Sequence, residues 1–306
     1  MTNAMERRSL GLRAGPAKDA PVHGVQNAMT VDVEDYFQVQ AFATRVNRRQ
    51  WDSFPDRVAA NTDRVLDLFE QGGISATFFT LGWVGERHPD LVRRIIQHGH
   101  EVASHGYSHV PVHEQTAEEF RSDVRNTKRL LEDITGKAVK GYRAASFSIG
   151  ANNLWALDVL AEEGYAYSSS IFPVVHDFYG MPNAPRFAFR PQRRDFLEVP
   201  LTTITAFGRN IPCSGGGYFR LAPYALSRWA LRQVNARERQ PCVFYFHPWE
   251  IDPEQPRIAG ASVRSRLRHY LNLHRTEGRL RRLLSDFRWA RMDEVFLSDS
   301  PVVAER

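Results

Sequence analysis

An α/β barrel, a parallel sheet wrapped by helices, is the fold the sequence predicts, and three observations predict it. From Met29 onward, short apolar runs alternate with longer helical patterns. About seven such strand and helix units fit in roughly 270 residues, close to the ~250 typical of a closed barrel. Reactive side chains gather just after the expected strands, where barrel enzymes place their sites. A GxGxxG fingerprint and a Walker A loop are both absent, which removes the usual support for a nucleotide-binding open sheet.

The first strand is expected over Met29–Val33. A helix over about Arg57–Glu70 carries Val58, Val65, Leu66, Leu68 and Phe69 on one side and stops at Gly72 and Gly73. Ala76–Leu81 reads as a buried strand, Pro89–Gln97 as a helix, Glu101–Ser104 as a brief strand, and Ala117–Thr135 as a helix ending at Gly136. The unit repeats through Lys140–Arg143, Leu154–Glu163, Tyr167–Ile171, Glu198–Leu201, Ala225–Asn235 and Val243–Phe246. Gly215, Gly216 and Gly217 read as a tight loop, since no Lys follows to reach a phosphate.

At 306 residues and 42% hydrophobic content the chain can bury a sizeable core, which excludes a disordered tail or a stapled mini-protein. No run approaches the ~20 apolar residues of a membrane span, so any membrane contact is expected to be peripheral. Residues 1–28 lack the apolar centre of a secretory leader and are expected as a flexible N-terminal extension, with a cytoplasmic location following. Residues 29–250 are expected as the barrel and 251–306 as a C-terminal extension packed on it. Cys213 and Cys242 lie 29 positions apart without a CxxC pattern and read as buried hydrophobes. The formal charge is only +5, and of the 40 basic residues 36 are Arg, weak evidence for acidic partners. Ten of those Arg lie between 257 and 291 against Glu277 and Asp286 alone. Leu267, Tyr270, Leu271, Leu273, Leu280, Leu283 and Leu284 give the same stretch an apolar side, which predicts one long amphipathic helix. Its basic face suits an anionic glycan, a lipid-linked precursor or an acidic membrane surface. No motif supports nucleic acid binding.

Four clusters carry the chemistry. His105 and His109 are four apart, so on a helical turn both imidazoles face one way and hold one divalent ion, although Gly106 favours a loop entering a helix. Two histidines and one carboxylate with open positions make a catalytic arrangement, in which bound water acquires a pKa near ~7. Asp32, Glu34 and Asp35 crowd negative charge at the first strand end, and a cation together with Arg143 would compensate it. Positions 32 and 34 share a strand face, so one can ligate while the other acts on water. His247 ends an apolar strand just before Pro248, in place to protonate an amine leaving group. Tyr36, Phe37, Trp83, Phe147, Phe172 and Trp249 are aromatics near the same mouth that could stack on sugar faces.

In this order the segments TVDVEDYFQV, SHGYSH, YRAASFSIG, SSSIFP, SGGGYFR and FHPWEID resemble the polysaccharide deacetylase family, the NodB-homology or carbohydrate esterase family 4 group, from about Met29 to Glu250. The most similar branch is that of deacetylases associated with exopolysaccharide clusters of the PEP-CTERM/exosortase system. The resemblance implies a distorted (β/α)7 barrel and metal-dependent removal of N-acetyl groups from glycan amino sugars, with zinc the expected ion. It implies Asp32 as general base, Arg143 as the residue orienting it, and His247 as general acid. His105 and His109 become metal ligands, joined by Glu34 with Asp35 in reserve, and the backbone near Ser146 holds an oxyanion. Tyr36 and Trp249 are assigned to substrate. The implied partner is an N-acetylated polysaccharide or oligosaccharide, with peripheral contact to a membrane or exopolysaccharide assembly machinery. Three positions depart from the pattern: Ala145 for a common Pro, Glu34 for a metal-binding Asp, and Ser168 for an Asp whose loss could weaken support of His247. Competing readings are a catalytically impaired glycan-binding protein on the same fold and a metal-dependent amidohydrolase of a small amide.

Overall fold

The structure is a computed structural model that describes residues 24–176, 179–191 and 195–298. Most of the expected 1–28 extension therefore lies outside the described residues. Its last part does not behave as an extension, because β1 (Gln26–Val33) already begins there and is buried from Asn27 onward.

Parallel neighbours build on β1 in both directions. β2 (Thr77–Thr80), β3 (Glu101–Ser104), β4 (Gly141–Tyr142), β5 (Tyr167–Ser168) and β6 (Leu197–Glu198) follow in sequence order. β7 (Thr203–Ala206) and β8 (Arg209–Pro212) form a separate antiparallel hairpin. β9 (Val243–Phe246) and β10 (Arg288–Ala290) both pair with β1, completing a sheet of eight strands. The registers Thr30↔Thr77, Ala28↔Val243 and Gln26↔Arg288 set the strands so that the chemistry-bearing positions follow their carboxyl ends. β2, β3 and β9 are buried along their whole length, as befits parallel strands covered on both faces.

The sheet curls into the distorted barrel, but among the described residues no ladder joins β6 to β9. Instead the Tyr245 N–H donates to the Ser214 carbonyl at 2.8 Å, and the Val243 N–H donates to Thr202 Oγ1 at 2.7 Å. Glycine is required at this seam. A Cβ on Gly215 would lie 1.9 Å from the Tyr245 carbonyl oxygen, and its φ of +129° disfavours any L side chain. The glycine run is therefore a close-approach device rather than a loop alone.

Helix ends follow local chemistry. α1 (Val58–Gly72) closes on Gly73 at φ +60°. α2 (Gly82–Arg87) leads into α3 (Pro89–Gln97), whose first-turn proline lacks only an N–H that has no helical partner anyway. α4 (Ala117–Thr135) opens on a reciprocal capping box between Thr116 and Glu119. α5 (Trp155–Glu162), α6 (Gly216–Leu221) and α7 (Tyr224–Gln233) continue the outer layer. The single long helix expected after Glu250 is instead α8 (Val263–Tyr270) and α9 (Leu273–Asp286), separated at Asn272, which adopts a left-handed φ of 58°. Leu273, Leu280, Leu283 and Leu284 are buried, whereas Leu267 is 58% exposed, so only α9 lays its apolar side on the barrel. The stretch also contributes β10 to the sheet before α10 (Met292–Phe296), and so is more than a packed appendage. Cys213 and Cys242 are buried free thiols. No helix among the described residues is long and apolar enough to cross a membrane.

Candidate active site

Four strand ends converge on one cleft of about 340 Å³, whose lining includes Asp32, Glu34, His105, His109, Ser146 and His247. β1 delivers Asp32 and, one residue past its end, Glu34 on the same side. The segment after β3 is a loop, not the helical turn that the HxxxH spacing suggests: Gly106 and His109 both have positive φ, 72° and 52°. Three clamps hold this loop. Gly82 and Trp83 N–H groups at the start of α2 donate to the Gly106 and Tyr107 carbonyls, Asp123 on α4 accepts from the Tyr107 N–H, and Arg48 donates to the Ser108 and His109 carbonyls.

Ligand atoms of Glu34, His105 and His109 all lie within 4.8 Å of one another. His109 Nε2 is 3.2 Å from Glu34 Oε2, a buried oxygen with no hydrogen-bond donor. Such an orphaned acceptor between two imidazoles is what a cation would satisfy. His105 Nδ1 meets the Arg143 carbonyl at 2.8 Å, and since a carbonyl only accepts, the proton sits on Nδ1 and Nε2 is left as the ligand atom. Burial pushes both histidines below their ordinary range, keeping them in the neutral form that ligates. Burial also pushes the Glu34 carboxyl up to about 7, against the opposing influence of His247 and the Trp249 indole N–H. The donor set therefore fits a divalent ion. Asp35, the reserve ligand, is turned elsewhere: Oδ2 accepts from the Arg57 and Val58 N–H groups at 2.7 and 2.9 Å, fixing the start of α1.

Arg143, fully buried after β4, donates through Nη1 to Asp32 Oδ1 at 2.6 Å and to Thr30 Oγ1 at 2.8 Å. Its Nε and Nη2 are taken by the Ser169 carbonyl and hydroxyl, and its Cζ lies 4.0 Å from the Phe79 ring centroid. The guanidinium thus holds one oxygen of Asp32 and leaves Oδ2 toward His247 Nε2, 3.9 Å away. His247 lies 3.4 Å from Glu34 Oε1 through the same nitrogen. Burial opposes its charge, yet Glu34, Glu250 and Asp32 together push it up to about 9, which favours the protonated imidazole.

Two substrate assignments do not survive. Tyr36 is fully buried, edge-on to Phe37, and does not line the cleft. Trp249 borders the cleft but is only 5% exposed, stacked between His247 and His269 with centroids at 5.0 and 4.0 Å, and its Nε1–H donates to Glu34 Oε1 at 3.2 Å. It therefore props the site rather than offering a sugar platform. Phe37 and Phe172 are likewise core, Trp83 is buried beneath Arg87, and of these other aromatics Phe147 alone faces the cleft. Ser146 lines the cleft in the left-handed region at φ 53°, and Phe147 shares that conformation. Tyr179, Tyr218 and Tyr245 line it too and were not anticipated, because no local pattern marks them. Glu250, the partner of His247 Nδ1 at 2.7 Å, was also missed, although its place three residues after a strand-end histidine was a readable signal. Ser168 does not touch His247; its hydroxyl bonds the Ser170 hydroxyl at 2.7 Å.

A curled parallel sheet thus carries, at its carboxyl ends, a buried cluster of two histidines and one carboxylate that could hold a metal ion. Residues 49–168 match the polysaccharide deacetylase family, and residues 169–297 match a domain of unknown function, DUF3473. Over residues 49–168 the chain is thus similar to the polysaccharide deacetylase family. A peptidoglycan-N-acetylglucosamine deacetylase of Bacillus cereus is 35% identical over 98 residues, 32% of this chain and 36% of that protein. A chitooligosaccharide deacetylase of Bradyrhizobium is 31% identical over 105 residues, 34% of this chain and 46% of that one. The chain thus spans about a third to a half of the length of these curated relatives. A Mycobacterium smegmatis protein solved as a candidate polysaccharide deacetylase shares the fold with a TM-score of 0.58 at 17% identity, covering 96% of this chain and 99% of that one.

Proposed function

We propose that this chain is a metal-dependent hydrolase removing N-acetyl groups from amino sugars of a polysaccharide or an exopolysaccharide precursor, in the exosortase-associated branch. The observation that carries the reading is the juxtaposition of the orphaned Glu34, His105 and His109 cluster with Asp32 on one side and His247 on the other. Bound there, a divalent ion, zinc by the nitrogen-rich donor set, supplies Lewis acidity toward the acetamide carbonyl and a lowered pKa for water. Asp32, oriented by Arg143, takes the proton of the attacking water. The backbone at Ser146 donates to the developing oxyanion. As the C–N bond breaks, His247 gives its Nε2 proton to the departing amine, leaving acetate and a free amino sugar. Acetate release from N-acetylated chito-oligosaccharides tests the reading: turnover that disappears with chelator and returns with zinc is expected. No turnover on glycan substrates, or turnover indifferent to chelator, would overturn it.

The same reading gives α8 a role. Residues 257–276 contain five Arg and no carboxylate, and Val263 and Leu267 on α8 are 72% and 58% exposed, next to the cleft-lining Arg268 and His269. Exposed aliphatics flanked by Arg are suited to an anionic membrane surface that would present a lipid-linked glycan to the cleft. Co-sedimentation with phosphatidylglycerol vesicles is expected, weakened by Leu267→Glu and by high salt. Equal retention of that variant, or none of the native chain, contradicts the assignment.

A further inference from the structure

Of the side chains in the proposed mechanism, Asp32 and Glu34 precede both matched segments, His105, His109 and Arg143 lie in the deacetylase segment, and His247 lies in the segment of unknown function. What that segment does for His247 can be read from its contacts. Pro248 starts a short turn over Pro248–Ile251 that brings Glu250 back onto the histidine. Glu250 Oε1 accepts from His247 Nδ1–H at 2.7 Å and from the His247 backbone N–H at 3.1 Å. That bond fixes the tautomer and the ring, and leaves Nε2 facing Glu34 and Asp32.

Glu250 is itself anchored. Its Oε2 accepts from Arg220 Nε at 2.5 Å, and both groups are buried, 1% and 2% exposed. Arg220 spends its other nitrogens on the end of α8: Nη1 donates to the His269 and Leu271 carbonyls at 2.7 and 3.0 Å, and Nη2 to the Arg268 carbonyl at 2.9 Å. Carbonyls of a last helical turn lack intrahelical donors, so a buried guanidinium is their natural partner. The Arg220 carbonyl is held in turn by Asn272 Nδ2 and Arg279 Nη1 at 2.8 and 2.9 Å. A continuous polar chain thus runs from the end of α8 through Arg220 and Glu250 to the ring of His247.

We propose that Glu250 and Arg220 are positioning residues for proton donation by His247, so that residues 169–297 complete the active site of the deacetylase segment instead of forming a separate module. The proposal rests on the deacetylase reading. It supplies His247 with a carboxylate support that Ser168 cannot give, and it explains why an Arg and a Glu thirty positions apart are both buried. Neither residue touches the reacting atoms; both act through the histidine.

The test exploits the leaving group. An N-acetyl sugar departs as an amine that must be protonated, whereas p-nitrophenyl acetate expels a phenolate that needs no proton. The native chain is expected to hydrolyse both, and absence of activity on the glycan would fail the deacetylase reading before this one is reached. Glu250→Gln is expected to lower kcat on N-acetylated oligosaccharide about 100-fold with KM within about twofold, and to leave p-nitrophenyl acetate hydrolysis within about threefold. Arg220→Lys, which keeps the charge but loses the fork, is expected to show the same selectivity at about a tenth of the size. Equal losses on both substrates, or an unchanged kcat on the glycan, would overturn the proposal. Should Glu250→Gln fail to fold, Arg220→Lys decides by the same ratio.

Discussion

Asp32→Asn is expected to leave a folded, metal-binding protein whose acetate release is lower by about 10²–10⁴-fold. Asp32 is 2% exposed, and Asn is nearly its equal in shape, so the Arg143 Nη1 bond at 2.6 Å retains an oxygen to reach. The ligand cluster does not include Asp32 and should keep its ion. What Asn loses is the carboxylate oxygen Oδ2 on the His247 side, the proposed acceptor of the water's proton. Acetate assay and metal content measured on the same preparation separate the effects. Activity within tenfold of native contradicts the role of base, and loss of metal together with activity would reassign Asp32 to the ligand set.

Arg143→Met carries the second large effect, on stability as well as turnover. Arg143 is fully buried, and its nitrogens bind Thr30 and Asp32 on β1 and Ser169 at the end of β5. Deleting one member of a buried pair strands the other as an uncompensated charge, which typically costs about 3–5 kcal/mol. Denaturant unfolding of Arg143→Met is expected to show a loss of that size. The double variant Arg143→Met with Asp32→Leu should recover much of it, since no charge is then left behind. A single variant within about 1 kcal/mol of native, or a double variant no better than the single, would contradict this account of the barrel centre.

Elements whose ends are written in local chemistry were legible. Pro89 at the first turn, Thr116 with Glu119, and the glycines at 73 and 136 set boundaries for α1, α3 and α4 within a residue or two of those expected. The strand-end clusters were legible for a related reason: polar residues directly after apolar runs have few structural uses. Partners distant in sequence were not. Arg220 and Glu250 are thirty positions apart, and nothing near either announces the other. Burial of an aromatic also cannot be read from its identity: Tyr36 and Trp249 flank strand-end polar residues in the sequence, yet both are buried. The break between α8 and α9 turns on Asn272 in a left-handed conformation, which Asn tolerates but does not dictate. Asp35 shows the same limit. Three carboxyl residues in four positions are equivalent on paper, and only the position of α1 makes one of them its cap.

If Glu34, His105 and His109 hold one divalent ion, zinc titration calorimetry of the chelator-stripped chain will register it. One zinc per chain is the expected stoichiometry for the native protein, with binding lost or weakened at least 100-fold in His105→Ala and His109→Ala and retained in Asp35→Asn. No uptake by the native chain, or uptake that survives both histidine variants unchanged, would contradict it.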